Sequence, residues 1–218
     1  MMQGLIDQTM AMLALGGWVV GVLAILSIVA LTVILFKLLQ FWQARVGRHG
    51  RLDAALQDLD QGQCARATTA LSATRSSLAP VLRRAIAADP GSAPATDRIE
   101  AEAEVALARL ESGFRLLDAI SQTAPLLGLF GTVLGMIEAF RAMQGAGASV
   151  DPSVLAGGIW VALLTTAVGL AVAIPTSLML TWFEARVADE RLWLAGALAR
   201  VRAPLGTQPV QMARAHAA

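Results

Sequence analysis

The chain has 218 residues, enough for one or two domains. It is 56% hydrophobic and only 15% charged, well below the roughly 25% charged share of soluble domains. A net charge of +1 and the absence of Tyr argue against a nucleic-acid platform, and a single cysteine, Cys64, excludes an internal disulfide.

Three runs lack Asp, Glu, Lys and Arg altogether: residues 8–36, 119–137 and 152–183. A bilayer core takes about 20 helical residues. The runs therefore predict an all-α integral membrane protein with three transmembrane helices. The lead-in, residues 1–15, is short and amphiphilic. The first span is expected over residues 16–36, with Trp18 at one end and Lys37, Phe41 and Trp42 at the other, as interface anchors. No basic residue precedes its apolar stretch, which is longer than the core of a signal peptide, so it is expected to remain as an anchor.

Basic residues set the expected orientation. None precedes the first span, Lys37 and ten Arg lie between the first and second, Arg141 alone follows the second, and five Arg follow the third. The positive-inside rule then puts the N-terminus outside and residues 37–115 in the cytoplasm. This loop is expected to be helical. Leu52, Ala55, Leu56 and Leu59 make an apolar face, Gly62 breaks it, and a second helix is expected to reach about Ala88. Pro and Gly between Ala88 and Thr96 predict a loop. Asp97 with Glu100 reads as a capping box, and Leu107, Leu110, Phe114 and Leu117 predict one helix over about 97–140, kinked near Pro125.

The second span is expected over residues 116–138, followed by a short outer loop, 139–152. Asp151-Pro152 announces the third span, residues 153–183, with a kink at Pro175. Beyond it, within the cytoplasmic tail 184–218, Phe183, Val187, Leu194, Leu198 and Val201 continue an apolar stripe. Apolar stripes on both cytoplasmic extensions need partners, which predicts a homo-oligomer. Pro204 and Gly206 are expected to end the helix ahead of a disordered tail.

The second and third spans carry the most unusual pattern. Pro125, Gly128, Thr132, Gly135 and Ala139 step by three and four and share one helical face. So do Ala162, Thr166, Gly169, Ala173 and Thr176. Gly131 and Thr165 lie beside these rows. Such small-residue faces let backbones approach closely. Together they are expected to line a narrow polar passage with Thr132, Thr165 and Thr166 at its centre; the Gly residues serve packing. A hydroxyl does not titrate at physiological pH, and ion pathways in membranes normally need an ionisable group. If the protein conducts protons, the titrating acid must come from another chain. Asp118 and Glu138 sit at span ends and read as interfacial. His49 and His216 lie outside the spans, away from any carboxylate pair, and no metal spacing, nucleophile motif or phosphate-binding loop is present. No cofactor or metal is expected, and no enzyme activity.

The segments Ala124–Gly135 (Ala-Pro-Leu-Leu-Gly-Leu-Phe-Gly-Thr-Val-Leu-Gly) and Gly158–Pro175 closely resemble the MotA/TolQ/ExbB proton-channel family, with the ExbB branch fitting best. The resemblance covers roughly residues 10–200. It implies a pentamer around a pair of single-span ExbD-like helices, each with a membrane aspartate that takes up and releases protons. It implies use of proton-motive force across the bacterial inner membrane to drive a TonB-like transducer. The family's pore-facing threonines correspond to Thr132 and Thr166. Well-known members carry a Glu five residues before the latter; here that position is Val161, which moves the acid's role onto the partner's aspartate. The TolQ branch is the nearest alternative. A solute transporter is disfavoured by the lack of an internal repeat and of a midplane charge, and a structural scaffold is the remaining reading.

Overall fold

In a computed structural model, residues 17–74, 76–88, 93–145 and 152–203 are described. They contain seven helices and no strand: α1 (Gly17–Ala44), α2 (Gly50–Asp60), α3 (Cys64–Ser72), α4 (Ala79–Ala87), α5 (Ala93–Glu111), α6 (Phe114–Gly145) and α7 (Pro152–Arg202). Three helical stretches, Gly17–Ala44, Ala93–Gln144 and Leu155–Arg202, are long and apolar enough to cross a bilayer. The expected lead-in, the tip of the 139–152 loop and the end of the tail lie outside the described residues. The described residues divide into two units, one up to Phe36 with Gly113–Trp182, the other Lys37–Ser112 with Phe183 onward.

The first unit has small residues inside and large ones outside. Val19, Leu23, Ala124 and Ala173 form its core, with Leu127, Leu134, Val168 and Val172 packed against them. Ile28, Leu126, Leu129, Val133, Trp160, Leu163, Ile174 and Leu178 are exposed. In water such a surface would drive association. In lipid, tails are as apolar as Leu, so packing favours whatever lets backbones meet. Trp18 meets Phe130 edge to face, ring centroids 6.0 Å apart. α6 continues through Pro125 and α7 through Pro175.

In the second unit α2, α3, α4 and α5 pack in succession. Leu52, Leu56, Leu71, Leu82, Leu107 and Leu110 are buried, as are Phe183, Val187 and Leu194 from the second half of α7. Phe41 stacks on Phe183 at 5.2 Å. The apolar stripe read after the third span is therefore a core stripe. Arg191 pairs with Glu104 and Glu111, Arg200 with Asp60 and Arg202 with Glu100. Most of these pairs are solvent-accessible and stabilise little individually.

Three expectations need correction. The single helix over 97–140 is two, because Gly113 takes φ +86°, a left-handed conformation that ends α5, and its carbonyl then accepts from Leu116 and Leu117 to start α6. The helix expected from Gly62 to Ala88 is also two; residues between Ser72 and Ala79 interrupt it, and Pro80 sits in the first turn of α4. Asp97 does not cap a helix: α5 begins at Ala93, with Pro94 in its first turn, where a missing N–H costs nothing.

Two buried charges organise the second unit. Lys37 is 1% exposed, and its ammonium donates to Leu110 O (3.0 Å), Ser112 Oγ (3.0 Å) and Gln40 Oε1 (2.8 Å). A cation thus satisfies the Leu110 carbonyl at the C-terminus of α5, where the helix dipole favours it. Glu190, 3% exposed, accepts from Gly47 N and lies 3.0 Å from His49 Nε2. His49 stacks on Trp193 at 4.2 Å, and Trp193 Nε1 donates to Asp53 Oδ1 at 3.1 Å. His49 is therefore tied to a carboxylate 141 positions away, which local spacing could not reveal. Replacing Lys37 by Met should leave the Leu110 carbonyl short of this donor and destabilise this unit by about 1.5–3 kcal/mol, read as a lower thermal midpoint in detergent; an unchanged midpoint would show that the cap is dispensable.

Candidate functional site

The two small-residue faces meet within one chain. On α6 the seam is Ala124, Gly128, Gly131, Gly135 and Ala139; on α7 it is Gly158, Ala162, Thr165 and Gly169. A Cβ built on Gly128 would lie 2.9 Å from Thr165 O and 3.0 Å from Thr166 Cα. One on Gly169 would lie 2.6 Å from Ala124 O and 3.2 Å from Gly128 Cα. One on Gly131 would lie 2.5 Å from Thr165 Oγ1. These backbones are close enough that only a missing side chain allows the approach. Gly135 and Gly158 play the same part against Ala162 and Ala139.

The seam keeps Gly128, Gly135, Ala139, Ala162 and Gly169 from the faces read in the sequence and differs at the threonines. Gly131 rather than Thr132 faces α7, and Thr165 rather than Thr166 faces α6. Within one chain the two faces therefore enclose no passage; they are filled by each other. Thr165 is 2% exposed. Its hydroxyl is 2.7 Å from Ala162 O on its own helix and 3.1 Å from Gly128 O across the seam, and it shares one proton between them. Its position is a packing one.

Thr132 and Thr166 flank the seam. Thr132 is half-buried and donates to Leu129 O at 2.6 Å, the ordinary bond of a helical threonine to its own backbone. Thr166 differs. Its Oγ1 is buried, yet it has no hydrogen-bond partner among the described residues. Buried polar atoms are nearly always paired, so this hydroxyl stands out from Thr165 and from Thr176, which donates to Val172 O at 2.7 Å. Val161 is half-buried. Asp118 and Glu138 are exposed at the ends of the apolar run, and Gln122 Nε2 donates to Asp118 Oδ1 at 2.7 Å. Among the described residues no group of His, Cys, Asp and Glu could hold a metal ion. Cys64 is an exposed free thiol. The roles of Gly158 and Ala124 were missed in the sequence; the signal was their spacing of four residues from Ala162 and Gly128.

The profile of the MotA/TolQ/ExbB proton channel family matches residues 73–194, more than half of the chain and all of the seam. The chain belongs to this family. It is 41% identical over 99 residues to biopolymer transport protein exbB1 of Vibrio cholerae, covering 40% of this chain and 43% of that one. It is 38% identical over 169 residues to an ExbB-like biopolymer transport protein of Synechocystis sp., covering 73% and 64%. It is also 40% identical over 81 residues to the Tol-Pal system protein TolQ of Pseudomonas aeruginosa, covering 36% and 33%. The matched regions span less than two-thirds of these relatives' own lengths. Together with the three apolar helices, membership in the MotA/TolQ/ExbB family makes this a multi-pass membrane protein.

If the seam rests on missing side chains, Gly128→Ala and Gly169→Ala should each cost about 1–3 kcal/mol through overpacking. Gly157, whose Cβ would meet nothing within 4 Å, is the control; Gly157→Ala should change stability by no more than about 0.5 kcal/mol. Thermal unfolding of the three variants in one detergent checks the ranking.

Proposed function

We propose that the protein is the channel subunit of an ExbB–ExbD-type complex that uses proton-motive force to energise TonB-dependent transport through the outer membrane. The observation that carries this reading is the contrast at the seam. The apolar runs 8–36, 119–137 and 152–183 contain no charged residue, while the buried hydroxyl of Thr166 has no partner among the described residues.

A hydroxyl can orient water or a carboxyl group but cannot itself release a proton at physiological pH. The titrating group in this reading is the membrane aspartate of a single-span ExbD-like partner. Five copies of the chain surround a pair of such helices. Thr132 lies toward them and Thr166, its Oγ1 buried in the subunit, orients water on the path to their acids, while Thr165, held against Gly128 O, fixes the rotation of α7 that places Thr166. Gly128, Gly131, Gly135 and Gly169 hold α6 to α7, and Pro125 and Pro175 each remove one backbone donor from these helices. Val161 in place of a channel-side Glu leaves the partner's acid to carry the relay. Protonation of that acid removes its charge and lets the partner helix turn past successive subunits, passing force to a TonB-like transducer. The domain plan is a lead-in over 1–15, spans over 16–36, 116–138 and 153–183, and a cytoplasmic loop and tail over 37–115 and 184–218. The membrane is the bacterial inner membrane, with the N-terminus periplasmic and the C-terminus cytoplasmic.

A second reading, a TolQ-like subunit of an envelope system, is supported by the match to the Pseudomonas aeruginosa protein. It assigns the same roles to the same residues and differs in the partner that receives the force.

Thr166→Val keeps the side-chain shape and removes the hydroxyl. It should abolish energised uptake in cells while the oligomer, followed by native mass spectrometry, stays intact. Full uptake in that variant would remove Thr166 from the pathway.

A further inference from the structure

The C-terminal end of α1 carries a second feature, outside the seam. α1 closes with a Schellman motif: Val46 N donates to Phe41 O at 3.1 Å and Arg45 N to Trp42 O at 3.3 Å. The position after the cap must then be left-handed, which favours Gly. Here it is Arg45, with φ +54°. Gly47 is left-handed as well, at φ +77°, and Arg48 N donates to Arg45 O at 3.0 Å. The sharp turn gathers Arg45, Arg48, Gln43 and Trp42 around one recess of about 460 Å³.

Neither arginine forms an ion pair with a carboxylate among the described residues. The carboxylate that the turn does engage, Glu190 of α7, is buried and met by Gly47 N and His49. Lys37 of the same helix is turned inward onto α5 and takes no part. What the helix shows outward is apolar: Leu38 is 38% exposed, Leu39 57% and Trp42 73%. Along α1 the order is thus exposed leucines, an exposed tryptophan, then two unpaired arginines. That is the order of layers in one bilayer leaflet: hydrocarbon, interface and headgroup.

We propose that this recess binds the phosphate headgroup of an anionic phospholipid, with the acyl chains lying over Leu38 and Leu39 and the indole of Trp42 at the level of the ester groups. Guanidinium forks match phosphate oxygens in pairs, and basic side chains beside a membrane attract anionic lipid strongly. The site makes no use of the seam threonines and would stand if the reading of proton coupling failed. Its consequence is that each subunit carries its own anionic lipid at the end of the first span.

The test uses the full chain, reconstituted in nanodiscs of phosphatidylglycerol and phosphatidylethanolamine, released into detergent, and assayed by native mass spectrometry for retained lipid. Wild type should retain phosphatidylglycerol in preference to phosphatidylethanolamine. Arg45→Gly places the favoured residue at the left-handed position, so folding should be undisturbed. Combined with Arg48→Gln it should weaken phosphatidylglycerol retention roughly thirty-fold, with the thermal midpoint at or above wild type. The Arg45→Lys, Arg48→Lys pair should keep most of the preference. Equal retention of both lipids by wild type, or unchanged phosphatidylglycerol in the Gly/Gln variant, would overturn the proposal. So would dissociation of the oligomer with lipid retention intact, which would assign the arginines to a neighbouring copy.

Discussion

The structure of the first unit depends on one contact, the approach of the α6 and α7 backbones where Gly128 lies against Thr165, Thr166 and Gly169. Apolar side chains gain nothing by leaving lipid for protein, so the helices are held by close van der Waals packing and by the hydroxyl of Thr165 reaching Gly128 O. That contact needs Gly on both helices. It also decides which residues remain for other work. Once Thr165 and Gly131 face inward, Thr132 and Thr166 must flank the seam, because neighbouring positions on a helix point about 100° apart.

The inverted distribution of size follows from the same constraint. Trp160, Leu163, Leu126 and Leu129 face outward, and Ala124, Ala162 and Ala173 face inward. The outward surface suits lipid and further helices alike. The runs 119–137 and 152–183 offer hydroxyls and the amide of Gln122 but no titratable group, so proton coupling through them would need an acid from elsewhere. The second unit follows soluble rules: leucines inside, ion pairs on the rim, and two buried charges, Lys37 and Glu190, each met by hydrogen-bonding groups.

The class was legible in the sequence because helices of soluble domains rarely run so long without a charged residue on their solvent face. The third span and its extension as one helix were also legible, since Phe183, Val187, Leu194 and Leu198 keep the same period after the charges begin. The seam was legible to within one position. A 3.6-residue period lets Gly131 and Thr132, or Thr165 and Thr166, serve a row of small residues equally well, and only packing chooses between them. The break at Gly113 was hidden because Leu110, Phe114 and Leu117 hold the helical spacing across it; a single left-handed residue changes the chain path without disturbing the pattern. The interruption between α3 and α4 was written only weakly, in serines. The tie between His49 and Glu190 had no local trace at all, since 141 positions separate them.

In the proposed function the labour is divided: the chain provides a close-packed sleeve with hydroxyls beside its seam, and another polypeptide provides the acid. Proton flux into liposomes under an imposed pH gradient measures this directly. The account predicts that the chain alone conducts no faster than empty vesicles, that adding the single-span partner opens a flux, and that a partner with its membrane Asp changed to Asn closes it. Flux through the chain alone equal to that of the complex would contradict it.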